Sequence, residues 1–223
     1  MVMISCKNIS KSYTTNNQTI TIYENLDRSI QTGSVVSIMG PSGSWKSTLL
    51  HLISGLDTPD SWTILVDDVL VSQWDEDKRT RRRSEHVAFI FQQFHLIPNL
   101  TVTENIDLVI DIAKVKRRFT TSEILSKVWL QWYEKRYPHQ LSWGEQQRVA
   151  IARAFVWQLP ILLADEPTWN LDHANAVIIM DLMMQLQKES GITTIIITHD
   201  PNIAKYAQDI YTLQDKKLIL TNP

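Results

Sequence analysis

The sequence predicts an α/β fold, a mostly parallel sheet covered by helices, and three observations carry that prediction. Short apolar segments at 34–39, 63–66, 87–91, 160–164 and 193–197 alternate with longer helical patterns. Several are apolar at every position, as strands must be when helices cover both faces of a parallel sheet. A Gly/Ser-rich loop joins the first of them to a helical run at 48–54. From about 99 to 140 the pattern turns polar and helical, with helices expected at 104–112 and 121–129, so a small helical lobe inserted into the core is expected there.

Taken in chain order, the runs 2–9 and 19–23 alternate apolar and polar residues and predict an antiparallel edge sheet beside the main one. The 223 residues suffice for one sizeable domain and not for two. Residues 1–98 and 141–223 are therefore expected to form a core with its β subdomain, and about 99–140 the lobe. A formal net charge of −2 gives no global electrostatic case for wrapping nucleic acid. The single cysteine, Cys6, has no partner for an internal disulfide and fits a reducing compartment. No apolar run approaches the ~20 residues that cross a bilayer, and the first ten residues lack the basic-then-apolar order of a signal peptide. A cytoplasmic chain is expected, one that would serve a membrane process from the water side.

The run Gly40-Pro41-Ser42-Gly43-Ser44-Trp45-Lys46-Ser47-Thr48 follows a predicted strand and opens a predicted helix, the context of a phosphate-binding loop. In such a loop, main-chain N–H groups and the helix N-terminus surround the β- and γ-phosphates of ATP, Lys46 neutralises them, and the Ser47 hydroxyl ligates Mg²⁺. The competing reading is an ordinary Gly/Ser turn with an exposed lysine, and the strand-loop-helix placement speaks against it. One residue departs from the pattern G-x-x-x-x-G-K-[ST]: Trp45 stands where glycine is required.

A second cluster, Asp165-Glu166, ends the apolar run 161–164, which would set one acid near a nucleotide-bound Mg²⁺ and the next near the attacking water. Adjacent acids alone are weak evidence. Between the two lies Leu141-Ser142-Trp143-Gly144-Glu145-Gln146-Gln147-Arg148, which resembles the LSGGQ-type signature of ABC ATPases. The resemblance covers almost the whole chain, with Tyr13 at the aromatic adenine-stacking position, Phe91-Gln92-Gln93 at the glutamine loop, Asn170-Leu171-Asp172 at the D-loop and Thr198-His199-Asp200 at the histidine switch. Residues 91–98 and 164–172 look like the branch that serves lipoprotein release, macrolide or peptide export, and a cell-division permease-like complex.

That resemblance implies the ABC ATPase fold: a P-loop NTPase core, an antiparallel β edge subdomain and an inserted helical lobe. It also implies an ATP-hydrolysing subunit that pairs with a second copy of itself around two ATP molecules. The pair would work under a transmembrane permease subunit, peripheral to the inner face of the cell membrane and without nucleic acid. By resemblance Tyr13 would stack on adenine, although a half-buried strand tyrosine is an equally good reading. Gln92 would join Ser47 and Asp165 around Mg²⁺, Glu166 would act as general base, and His199 would hold the γ-phosphate and the attacking water in line. Ser142 and Gly144 would bind the γ-phosphate held by the other subunit, and Asp172 would reach across the same interface. Phe94, Leu96, Ile97 and Leu100 are expected as exposed apolar surface for the permease. The basic runs 78–83 and 114–118 are expected as solvated helix faces.

Tryptophan takes the expected glycine position in three motifs, at Trp45, Trp143 and Trp169, and Trp62, Trp129 and Trp157 also fall at turn or helix-end positions suited to glycine. The chain has eight tryptophans and six glycines; with the tryptophans counted as glycine it would reach the ordinary glycine share of ~7%. A single decoding difference, UGA read as glycine in the cell and written as tryptophan, would account for every case. If the tryptophans are real, a regulatory scaffold that uses nucleotide weakly is the alternative. Lys46, Asp165, Glu166 and His199 are all retained, however.

Overall fold

The structure, a computed structural model, describes residues 1–15, 18–41, 43–67, 69–70, 75–108 and 116–221. They fall into two compact units, residues 1–83 with 193–223 and residues 84–192. Both ends of the expected lobe, 99 and 140, lie within the second unit.

In the first unit the alternating N-terminal runs form an antiparallel sheet. Strand β1 (Val2–Thr15) pairs with β2 (Gln18–Gln31) on one side and with β4 (Ser61–Val66) on the other, and β5 (Val69–Leu70) extends β4. Register shifts between Cys6 and Ile9 and between Ile9 and Lys11 put Ile4, Cys6, Ile9 and Lys11 all in buried positions, which a strict period of two would not do. Burial pushes the Cys6 thiol up to about 12, with the Asp27 carboxylate adding to it, so this cysteine is inert packing.

The second sheet of this unit centres on β3 (Val35–Met39), flanked by β8 (Thr193–Ile197) and β9 (Asp209–Gln214), both parallel to it. Strand β10 (Lys217–Leu220) closes a hairpin on β9. All five residues of β8 and four of β3 are buried, which is why those runs are apolar apart from Ser37, Thr193 and Thr194. Helix α1 (Lys46–Ser54) follows β3, buries Leu49, Leu50, Leu52 and Ile53, and stops at Gly55, which takes the left-handed conformation with φ 72°. Helix α2 (Glu76–His86) carries the basic run 78–83 and buries no residue, as a solvated face should.

The second unit pairs β6 (Val87–Ile90) with β7 (Ile161–Asp165) in parallel, Ile90 opposite Ala164. Its helices are α3 (Val102–Asp107), α4 (Thr121–Lys127), α5 (Trp143–Phe155) and α6 (His173–Ser190), with α5 packed against the other three. Three of them begin with the same device. Thr101, Thr120 and Ser142 each accept a hydrogen bond from the N–H three residues on, while Glu104, Glu123 and Glu145 reach back to the cap N–H. These capping boxes start α3 two residues before the expected 104. The expected continuation to 112 and part of the run 114–118 lie outside the described residues.

Asn105 holds the loop that leads into α3. Fully buried, it accepts from Ile97 N–H at 2.7 Å and donates its amide to the carbonyls of Ile97, Leu100 and Thr101 at 2.9 to 3.1 Å. Replacing it with alanine removes the side-chain partner of the Ile97 N–H and the Leu100 carbonyl, while the Ile97 and Thr101 carbonyls keep the main-chain N–H groups of Leu100 and Asn105. The variant Asn105→Ala is therefore expected to lose about 1–3 kcal/mol of stability, read from the shift of the urea midpoint at constant slope; an unchanged midpoint would show that water replaces the amide at no cost.

Candidate functional site

Each unit carries part of the expected site, and in each the parts leave neighbouring parallel strands at the same end. In the first unit β3 and β8 pair with Ile38 opposite Ile197, so the loop from Gly40 and the segment Thr198-His199 emerge side by side. In the second unit β6 and β7 release Gln92 and the pair Asp165-Glu166 in the same way.

The loop curls around its own lysine. Lys46 is buried, and its ammonium donates to the carbonyls of Gly40 and Pro41 at 2.9 Å each. A Cβ on Gly40 would sit 2.8 Å from Ser44 Oγ, and Gly43 has φ 75°, so both glycines are required by the path of the chain. Ser44 Oγ is buried without a hydrogen-bond partner among the described residues, a polar atom left over inside the loop expected to hold phosphate. Ser47 and Thr48 lie in the first turn of α1; Ser42 lies outside the described residues. Trp45 precedes the helix with φ 65° and no side-chain cap. Its carbonyl accepts from the Tyr23 hydroxyl at 2.7 Å, and its ring lies 5.6 Å from the Tyr13 ring, tilted by 32°.

Tyr13 is half-buried on β1. Its hydroxyl donates to Asp57 at 2.6 Å, and Lys11 donates to the other Asp57 oxygen at 2.8 Å and to the Thr58 carbonyl at 2.7 Å. Burial, and then the bond to Asp57, hold the Tyr13 phenol above its ordinary range. Burial alone would raise the Asp57 carboxyl; the donors from Lys11, Tyr13 and the Thr58 N–H outweigh it and hold the group below its ordinary 3.8. Neither Asp57 nor Tyr23 was legible as part of the site, because each acts through a partner distant in sequence.

In the second unit Asp165 ends β7 and Glu166 follows with φ 46°. A glutamate held in the left-handed region is the kind of local strain that accompanies function. Gln92 lies in the turn after β6, half-buried. Ser142 caps α5 at an exposed position, and Gly144 in its first turn meets no atom nearer than 3.9 Å at its would-be Cβ, so open space lies over that N-terminus. The Glu145 carboxyl would be raised by burial, but the Ser142 N–H and hydroxyl hold it below its ordinary value. Asp172 is exposed and caps α6 through the Asn175 N–H at 2.9 Å, a bond that depresses its pKa. His199 is exposed beyond β8, followed by Asp200, the cap of the short helix α7 (Pro201–Ala204).

One expectation fails. Phe94 is buried rather than exposed, because Arg153 takes the Phe94 and His95 carbonyls at 2.6 and 2.7 Å while the Phe94 ring packs edge-on against Trp143. Of the other expected surface residues, Ile97 is exposed and Leu96 and Leu100 are half-buried. Gln147 was not anticipated: it is buried on α5 and donates to the Pro167 carbonyl, next to Glu166. A glutamine among the apolar positions of the α5 face was its only sequence signal.

The depressed Asp57 pKa has a defined pH consequence. A carboxyl whose folded pKa lies below its unfolded value adds stability above about pH 4, and that contribution is lost as the pH falls through the folded value. Asp57→Asn is expected to lower the urea midpoint at pH 7 and to flatten its decline between about pH 5 and 3; parallel pH curves for the two proteins would refute the assignment.

The sequence pattern of the ABC transporter family matches residues 23–169. The ABC transporter ATP-binding protein MJ0796 of Methanocaldococcus jannaschii is 40% identical over 220 residues, 96% of this chain and 94% of that protein. The lipoprotein-releasing system ATP-binding protein LolD of Idiomarina loihiensis is 38% identical over 216 residues, 96% of this chain and 95% of its own. In structure the chain is similar to the dimeric post-hydrolysis state of MJ0796 bound to ADP and Pi, with a TM-score of 0.87 and 38% identity over 97% of this chain and 96% of that one.

Proposed function

The chain belongs to the ABC transporter family and is an ATP-hydrolysing subunit of it; we propose that it drives a separate membrane permease through a dimer that closes on ATP and opens after hydrolysis. The observation that carries this reading is the emergence of the phosphate loop and His199 at one end of β3 and β8, and of Gln92, Asp165 and Glu166 at one end of β6 and β7. Open α/β sheets place ligands outside the carboxyl ends of their strands. Residues 1–98 and 141–223 act as the core of a single ABC ATPase domain, and 99–140 as its helical lobe.

In this reading the main chain of Gly40, Pro41, Ser42, Gly43, Ser44 and residue 45 surrounds the β- and γ-phosphates, and Lys46 turns from its loop carbonyls to the phosphate oxygens. Thr48 continues the helix N-terminus at which the anion sits. Tyr13 offers its ring to adenine, with its hydroxyl fixed by Asp57. Ser47, Gln92 and Asp165 supply a hydroxyl, an amide oxygen and a carboxylate, hard oxygen donors that suit Mg²⁺. Mg²⁺ supplies neutralisation of charge on the phosphates. Glu166 takes the proton of the attacking water, and His199 holds that water and the γ-phosphate in line.

The exposed N-terminus of α5, with Ser142 and Gly144, binds the γ-phosphate of the ATP held by a second copy, and Asp172 contacts the same partner. MJ0796 has been solved as a dimer bound to ADP and Pi, which supports this arrangement. No described helix is long and apolar enough to cross a membrane; in this reading the permease is a separate partner and the subunit works at the inner membrane face. The relation to LolD supports a reading within the release and export branch.

The Glu166→Gln variant is expected to bind ATP, lose kcat by about 10²–10⁴-fold and elute as a dimer in ATP but not in ADP. A variant that stays monomeric at saturating ATP in light scattering would overturn the sandwich mechanism.

A further inference from the structure

We infer that glycine is the natural residue at positions 45, 129, 143 and 169, each of them encoded by a UGA codon that the source cell reads as glycine. This rests on the reading of residues 40–48 as a nucleotide loop at position 45 alone; position 129 stands apart from any functional argument.

Position 129 closes helix α4. The Leu130 N–H reaches back to the Leu125 carbonyl at 2.7 Å and the Trp129 N–H to the Ser126 carbonyl at 3.1 Å, the paired bonds of a Schellman motif. The residue between them must be left-handed, and Trp129 has φ 57°. Leu130, the next residue, is fully buried, in keeping with the apolar position that commonly follows the motif. The same chain ends α1 and α6 with glycine in this conformation, Gly55 at φ 72° and Gly191 at φ 68°. Tryptophan is among the residues least suited to that slot, and its side chain is 52% exposed.

Position 45 is fixed by backbone in the same way. Its carbonyl accepts from the Tyr23 hydroxyl and from the Thr48 N–H at 3.0 Å, and Tyr23 is fully buried. With its carbonyl held by these two bonds, the residue has φ 65°, in the left-handed region that favours glycine. The indole adds no hydrogen bond to them; it is 46% exposed and covers one face of Tyr13. At positions 143 and 169 the conformation is permissive, but the side chains are 57% and 41% exposed, one on the first turn of α5 and the other in the turn after Glu166. Tryptophan is normally a heavily buried residue, and a chain with more tryptophan than glycine that leaves these four 41% to 57% exposed needs a common cause. UGA supplies one, since it differs from the tryptophan codon UGG in a single base. Trp157, buried under Arg117, is the position where the structure alone does not demand glycine.

With glycine at 45 the loop regains G-x-x-x-x-G-K-S and the covered face of Tyr13 opens. The test is to read the codons at the four positions and to sequence, by mass spectrometry, the peptides that contain them in protein purified from its native source. UGA codons with glycine in the peptides are expected. UGG codons, or tryptophan in the peptides, would overturn the inference. In recombinant protein, Trp129→Gly is expected to raise Tm, and Trp45→Gly to tighten ATP binding by about tenfold or more; a lower Tm for the first would count against glycine at that site. Glycine in peptides of a native protein that hydrolyses no ATP would refute the proposed function and leave this inference standing.

Discussion

Lys46 is folded into its own loop, with its ammonium on the carbonyls of Gly40 and Pro41, and the constraints of the first unit follow from that buried charge. An ammonium taken out of water needs close acceptors, so the chain must wrap back over the first turn of α1. Wrapping that tightly forbids a Cβ at Gly40 and forces left-handed backbone at Gly43 and at residue 45. The loop can hold this shape because β3 is buried beneath it and Tyr23 pins it from β2. An arriving phosphate would find the helix N-terminus already in place and the Lys46 ammonium one side-chain turn away on the loop carbonyls.

In the second unit helix α5 plays the organising part. Its N-terminus carries Ser142, its middle sends Gln147 to the carbonyl beside Glu166, and its last turn sends Arg153 to the carbonyls of Phe94 and His95, two residues beyond Gln92. Three motifs far apart in sequence are thus tied to one rigid element. Left-handed backbone at Phe94, His95 and Glu166 marks the places where those ties hold the chain away from its preferred conformations.

The pattern of the sequence was legible where one force dominates. Strand β8 matches its expected bounds to the residue, a completely buried run of two β-branched threonines and three isoleucines. Strands β1 and β2 run well past the alternating segments that announced them, because bulges break the period of two. Helix α3 begins earlier than its expected start, because the capping box of Thr101 and Glu104 opens it and its first residue, Val102, is already buried. Phe94 looked like surface because its neighbours Gln93 and His95 are polar, and its burial depends on an arginine 59 residues away.

By itself the sequence determined the parallel sheet, the phosphate loop, the acid pair and the signature, since each is a local run whose residue types and order follow from short-range chemistry. The tertiary structure alone decided that Tyr13 is fixed by Asp57, that Tyr23 holds the loop carbonyl, that Gln147 reaches the segment after Glu166, and that Trp129 fills a glycine slot. Those facts depend on which distant groups end within hydrogen-bonding distance and on the sign of a backbone dihedral. Neither quantity exists until the chain has folded.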